Sequence, residues 1–480
     1  MGLHQRIRSA PVDFDAVRTE FDLPTEYPAA AVTEARDAID AFAGLRRDRT
    51  DLAFVTIDPP GAMDLDQAVH LTRTGTGFTL HYAIADVAAV VRPDGALAAE
   101  TRSRGQTYYL PDGSTPLHPP VLAEDAASLL PDVDRPVALW TVELDEHAAP
   151  RSYRVERALI RSRARLDYAG VQAAADAGTL PAAIAALPEF GALRIEAGLE
   201  RGAIALRLPA QSVVADDGAD GRWRLVLEPR TAADDWNEQV SLLVGMCAAR
   251  IMLDAAVPAG LLRTMPAPPD SAVAAMRRTA AALGVAWPAE LPVGRMLAGL
   301  DPNTPAGLVL NSEATTLLRG AAYRPFGVDG APVTPPDDPA HSGLGAPYAH
   351  VTAPLRRLSD RFTTEICLAR CVDTEIPAWV RTGMTAAADA MKRSDTTANR
   401  VDRACVDRTE AALLAPRVGA EFDAVVLREA AGNKPAEIFV ADPPVLAPCT
   451  GDPPEGSRIR ARLTRADPAA RKVEFGYRVP

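Results

Sequence analysis

Aromatic side chains make up only 5% of the 480 residues, so any clustered tyrosine carries information. No apolar run reaches the ~18 residues that a membrane-spanning helix requires. The N-terminus, MGLHQRIRSAPVDFD, has no apolar core of signal-peptide length. MGLHQR also lacks the Ser or Thr of a myristoylation signal. Cysteine is sparse: Cys247, Cys367, Cys371, Cys405 and Cys449 are an odd number without CxxC spacing. Cys367 and Cys371 stand one helical turn apart, but no histidine pair completes a zinc site. Reduced, mostly buried thiols in a cytoplasmic protein, with no disulfide partner, are expected. There is no internal repeat and no low-complexity tail. Positive charge is short as well, at 51 Lys and Arg against 63 Asp and Glu, for a net charge of −12. That balance argues against a general polyanion-coating role, while a local groove can still be basic.

What the chain has is ample apolar content, 48%, over a length that suits about two to four domains. Residues 1–48 read as a short lead-in with a helix-like stretch from Ala30 to Leu45. Strands dominate 49–165: QAVHLTR and FTLHYAI flank the turn TGTG as a hairpin, and VALWTVELD and RSYRVERALIRS follow. Helices dominate 166–412, the clearest at Asp234–Leu253, Ser271–Leu283, Leu355–Cys371 and Met384–Leu414. Beyond Pro416, FDAVVL, AEIFVA, RIRARL and KVEFGY are short alternating strands, the pattern of a small five-stranded OB-type barrel. The class is α+β, divided as lead-in 1–48, a main domain 49–412 and a barrel 413–480.

The stretch FVTIDPPGAMDLDQA holds Asp58, Asp64 and Asp66 behind the apolar run Leu52–Ile57, which reads as a buried strand. Pro59, Pro60 and Gly61 force a loop. A return to extended chain would put Asp64 and Asp66 on one face, folded back beside Asp58. Three acids so close repel unless cations share the site, and hard divalent cations take oxygen ligands. Such a centre clamps the attacking and leaving oxygens of a phosphodiester. A solvated acidic loop is the alternative, and an EF-hand fits worse because its acids and glycine are spaced otherwise. Arg157, Arg161, Arg163 and Arg165 share one parity of an extended segment, as a phosphate-tracking stripe or a charge-blunted strand edge.

TIDPPGAMDLDQA resembles the signature of the ribonuclease II and ribonuclease R (RNB) family of 3′-to-5′ exoribonucleases. AIADVAAVV, GQTYYLPDG, LHPPVLAEDAASLLP, RARLDYAGV, LEPR, the helix ending GMCAARIML and HSGLGAPYAHVTAPLRRLSD continue in that family's order. The resemblance covers roughly residues 50–412, and the C-terminal segment is similar to the family's RNA-binding OB barrel. It implies an RNB-type catalytic domain, a mixed sheet with helices around an RNA channel. The family's paired N-terminal cold-shock barrels have no counterpart in the first 48 residues, so a shortened member is expected.

The resemblance also implies roles. Asp58, Asp64 and Asp66 match magnesium ligands, with manganese as a substitute, and the fourth ligand position is Gln67 where the family has Asp. An amide oxygen is a weaker ligand than a carboxylate, so an acid at 67 would be expected to strengthen the hold on the cation. Tyr109 and Tyr168 match base-stacking tyrosines. Arg356 matches the arginine on the scissile phosphate and Arg357 its basic neighbour. Ala353 and Leu358 replace a serine and a tyrosine. Tyr348 and His341 are placed in the channel block, His341 more readily as a structural residue. Glu238 and Gln239 fall where paired glutamates clamp the last nucleotide. A further glutamate falls at Val406, with Asp407 or Glu410 as its replacement. The implied activity is magnesium-dependent hydrolysis of single-stranded RNA to nucleoside 5′-monophosphates, with a monomer as the default state. A weakened or inactive RNA-binding protein on the same scaffold is the alternative.

Overall fold

The computed structural model describes residues 10–206, 210–216, 221–228 and 230–478. MGLHQR and Pro229 of the LEPR block lie outside the described residues.

Phe54–Ile57 (β1) is short, apolar or β-branched, and buried throughout. It lies parallel to the end of the long strand Pro150–Leu166 (β5, after β2–β4 below), with Val55 opposite Ala164 and Ile57 opposite Leu166. A parallel pair covered on both faces needs such a continuous apolar run. Gln67–Thr74 (β2) and Gly77–Ala85 (β3) form the expected hairpin, and Asp134–Leu144 (β4) pairs with β3. The first part of β5 pairs with β4 and its last residues with β1, so the sheet closes on itself. Side chains alternate cleanly across this sheet. Val69, Leu71, Leu80, Tyr82, Ile84 and Trp140 enter one core cluster, while Ala68, Ala83, Ala85 and Leu139 enter a second.

Helices cover the first cluster. Tyr168–Asp176 (α1) begins at Asp167, whose carboxylate accepts from the Gly170 amide. Ala232–Leu253 (α2) begins with a capping box, Thr231 and Asp234 each bonding to the other's backbone amide. Leu358–Cys371 (α3) is almost wholly buried, and Ala378–Leu414 (α4) runs 37 residues beside it. The middle of α4 meets the turn at Gly105, where an added Cβ would lie 2.6 Å from the Ser394 hydroxyl. Gly105 also has φ +77°, a backbone that glycine adopts freely. Farther along, Val401, Ala404 and Cys405 pack on Tyr108 and Leu110, and Ala411, Leu413 and Leu414 enter the core of the C-terminal barrel.

That barrel is Glu421–Arg428 (β6), Ala436–Ala441 (β7), Pro444–Thr450 (β8), Arg458–Asp467 (β9) and Lys472–Gly476 (β10), closed in the order β6-β7-β8-β10-β9. The sequence reading names four of these strands. The fifth, β8, carries prolines at both ends of PVLAP and is stabilised by pairing with β7 along its length. The helix expected over Ala30–Leu45 spans only Ala29–Arg36, followed by a single turn at Ala43–Leu45. The helix closes at Asp37, whose amide donates to the Thr33 carbonyl, and Asp40 then accepts from the Phe42 amide and pairs with Arg46. All five cysteines are free and four are buried. Among the described residues no helix is long and apolar enough to cross a membrane.

Gly245, inside α2, is where the loop before α3 comes closest. A Cβ there would sit 2.2 Å from the Tyr348 ring and 2.7 Å from the Ala349 carbonyl oxygen. Gly245→Ala is therefore expected to destabilise the protein by about 1–3 kcal/mol despite its better helix propensity, read as a lower denaturation midpoint.

Candidate active site

The Pro59-Pro60-Gly61 turn, with Gly61 at φ +84°, reverses the chain after β1. Residues 62–66 then run without regular strand until β2 begins at Gln67. Leu65 is fully buried and anchors this stretch: its amide donates to the Ser128 hydroxyl at 3.1 Å, and its carbonyl accepts from Leu129 at 3.0 Å. With Leu65 pinned inward, its neighbours diverge. Asp66 is 2% exposed, and its Oδ1 accepts from the Leu355 amide at 2.7 Å. Asp64 is half-buried and accepts from the Tyr109 hydroxyl at 2.9 Å. The expectation of one shared strand face thus gives way to two different environments.

The acids nonetheless share one field. Burial pushes the Asp58 carboxyl up to about 6, helped by Asp64 and opposed by Thr56, Arg356 and Arg165. Burial also raises Asp66 well above the usual carboxylate range, against the pull of Arg356 and the Leu355 amide. Arg356 Nε lies 3.3 Å from Asp66 Oδ2, with 44% of its side chain still exposed. Tyr109 sits on the hairpin Tyr108–Leu110 and Gly113–Thr115 and is 51% exposed, so its ring face is open. Asp58, Asp64, Asp66, Tyr109 and Arg356 are therefore brought together. Tyr168, the first residue of α1, joins them less openly: it is partly buried against the core, interacts with Asn237 and lies within reach of Asp58.

Among the described residues no three His, Cys, Asp or Glu side chains stand close enough to hold a metal ion. Asp58 Oδ2 and Asp66 Oδ2 are nevertheless buried without a hydrogen-bond partner. An unpartnered oxygen on Asp58 and one on Asp66 that meets only the Arg356 guanidinium, both on carboxyls with raised affinity for protons, suit a hard divalent cation. The Gln67 amide is engaged within the protein. Its Nε2 donates to the Thr352 carbonyl at 2.5 Å, and its Oε1 accepts from the Tyr82 hydroxyl at 3.4 Å.

Other expected residues are engaged elsewhere. Arg357 forms an internal ion pair with fully buried Asp360, at 2.7 Å. Tyr348 is 7% exposed and wedged between His341 and His350. His341 is half-buried beside it, as a structural residue would be, and burial lowers its pKa to about 4. Glu238 lies on the exposed start of α2, paired with Arg230. The arginine stripe breaks up. Arg157 turns inward to Asp86 and Glu365, Arg161 pairs with Asp134, and Arg163 and Arg165 donate to the Thr50 and Ala62 carbonyls. A register shift where β5 passes from β4 to β1 accompanies this change of parity. Sequence reasoning misses Asp360, Asn237, Tyr82 and Ser241. Only Asp360 had a local signal, its i+3 spacing from Arg357 at the start of a helix.

Val406, Asp407 and Glu410 face the barrel. Val406 packs on the barrel core, and the Asp407 carboxyl pairs with Arg403. Glu410, 5% exposed, accepts from Gln211 Nε2 at 2.7 Å, and the same amide nitrogen donates to the Pro444 carbonyl. Burial raises Glu410 from 4.5 to about 8, with Asp407 adding to the shift and Gln211, the Leu446 amide and Arg403 opposing it. The folded protein therefore binds the proton more tightly than the unfolded chain, and this group costs stability as pH rises from about 4.5 through 8. Glu410→Gln is expected to leave stability at pH 4.5 nearly unchanged and to raise it at pH 9 by on the order of 2–4 kcal/mol, measured by denaturant titration.

Comparison with known proteins follows the same lines. The RNB domain profile matches residues 46–368, and the RNase II-type exonuclease C-terminal S1 domain profile matches 420–478. Ribonuclease R of Chlamydia trachomatis is 27% identical over 367 residues, covering 74% of this chain and 51% of that protein. The chain thus spans about half the length of that curated relative. Among solved structures, apo RNase R of Mycoplasma genitalium superposes with a TM-score of 0.85 at 18% identity, over 97% of this chain and 77% of the other. Yeast Ssd1, described as a pseudonuclease, gives 0.69 at 16% identity, over 97% and 58%. With two thirds of its length matched by the RNB domain and the barrel matched by the companion S1 domain, the chain belongs to the RNB family of ribonuclease II-type exonucleases.

Proposed function

We propose that this chain is a hydrolytic exoribonuclease that shortens single-stranded RNA from its 3′ end and releases nucleoside 5′-monophosphates. The observation that carries this reading is the meeting of two buried carboxylates, Asp58 with an unpartnered oxygen and Asp66 ion-paired to Arg356, with the partly open Arg356 and the exposed Tyr109. Asp58 and Asp66 would hold magnesium, or manganese in its place, which supplies a polarised phosphoryl oxygen and an activated water. The chain's own groups do the rest. The exposed Tyr109 ring offers a stacking platform for the terminal base, indifferent to sequence. Its hydroxyl, fixed on Asp64, sets the height of that platform above the acids. Arg356 presents its free N–H groups to the phosphate and stabilises the charge that builds in the transition state. Tyr168 lines the deeper side, next to Asp58. The family resemblance supports a cytoplasmic monomer acting on RNA without a membrane.

A second reading, an RNA-binding scaffold without turnover, has one specific observation in its favour. Gln67 and Arg357 are engaged inside the protein rather than facing a substrate.

End-labelled single-stranded RNA distinguishes the two. The expected result is a ladder of mononucleotide loss with magnesium and none with chelator. Asp66→Asn is expected to lower the rate by at least ~100-fold while RNA affinity stays within about threefold. Magnesium should also raise the melting temperature of the native protein and not of Asp58→Asn. Tight RNA binding with no product in either metal would leave only the scaffold.

A further inference from the structure

We infer that Gln67 is a positioning residue for Arg356 and not a cation ligand, a reading that rests on the exoribonuclease assignment above. Gln67 is the first residue of β2, and its amide bridges to a loop 285 positions away in sequence. The direction of that amide is dictated by chemistry. Thr352 offers a carbonyl, which only accepts, so the amide nitrogen must face it. The oxygen is then turned toward the Tyr82 hydroxyl, which in turn bonds Ser241 of α2 at 2.8 Å. Both ends of the Gln67 amide therefore have partners within the protein.

The bridged loop is the one that carries Arg356. It is fastened at three further points: the Ala353 amide donates to Asp360 at 2.7 Å, the Leu355 amide to Asp66 at 2.7 Å, and the Arg356 carbonyl accepts from Thr107 at 3.0 Å. Thr352 is only 4% exposed, so its carbonyl has no ready water if the amide is lost. A carboxylate at position 67 has no N–H and would set two acceptors against each other. A carboxylate here could not make this bond, so an acid at 67 is expected to weaken the site rather than strengthen it. Gln67 fixes the height of the loop on the sheet, and through it the reach of Arg356 toward the phosphate.

Two variants test this. Gln67→Met keeps length and removes both donor and acceptor, whereas Gln67→Glu keeps an oxygen ligand and removes the donor. The readouts are hydrogen–deuterium exchange of peptides spanning residues 349–358, manganese affinity by electron paramagnetic resonance, and steady-state RNA hydrolysis. Both variants are expected to raise exchange in 349–358 about tenfold, with exchange in the C-terminal barrel unchanged. Both should lower kcat about tenfold with KM within twofold, and neither should lower kcat further in an Arg356→Ala background. Manganese affinity should be unchanged in Gln67→Met. A tenfold loss of manganese affinity in Gln67→Met with wild-type loop exchange would overturn the proposal, as would additive losses with Arg356→Ala. If the native protein hydrolyses no RNA, the nuclease reading fails, while loop exchange and manganese affinity still decide the role of Gln67.

Discussion

The bond from the Leu355 amide to Asp66 joins two parts of the chain 289 residues apart, and the rest of the site depends on it. It carries the Arg356 loop down onto the end of the acidic segment, so that one buried carboxylate faces both a backbone donor and a guanidinium. A carboxylate in that position is expensive to ionise, and neither partner removes the cost. The result is a group of buried carboxyls whose ionisation one guanidinium does not fully offset, a condition that a divalent cation relieves.

Charge is handled differently a few residues away. Arg46, Asp40, Asp86, Arg157 and Glu365 form a largely buried network in which all three carboxylates meet a guanidinium. It ties the lead-in, β5 and α3 together. Asp86 meets two arginines, whereas Asp58 and Asp66 each keep one oxygen with no hydrogen bond, although Asp86 also has one such oxygen. Position beside Arg356 and Tyr109, rather than desolvation alone, sets Asp58 and Asp66 apart from Asp86.

Local signals in the sequence give the hairpin, the main helices and the barrel texture, because periodicity and turn chemistry operate over a few residues. Asp58, Asp64 and Asp66 are legible for the same reason: their spacing around Pro59, Pro60 and Gly61 is local. The role of Gln67 is not legible, since its partner Thr352 is 285 positions away and no spacing rule reaches that far. The arginine stripe fails for a related cause. Parity predicts a shared face only while a strand runs without an irregularity, and β5 has a register shift between Ser162 and Ala164 where it meets β1. Tyr348 and Arg357 look like channel residues by motif, yet Gly245 and Asp360 draw them inside. Strand β8 is hidden by its prolines and emerges only when the barrel closes around it.

The 37 residues of α4 make a rod about 55 Å long. One stretch presses on the turn at Gly105, whose carbonyl accepts from the Leu358 amide beside the Arg356 loop, and its far end is buried in the barrel. A stiff member seated at both ends transmits load rather than absorbing it. One continuous helix thus sets the spacing between the turn beside the Arg356 loop and the core of the barrel.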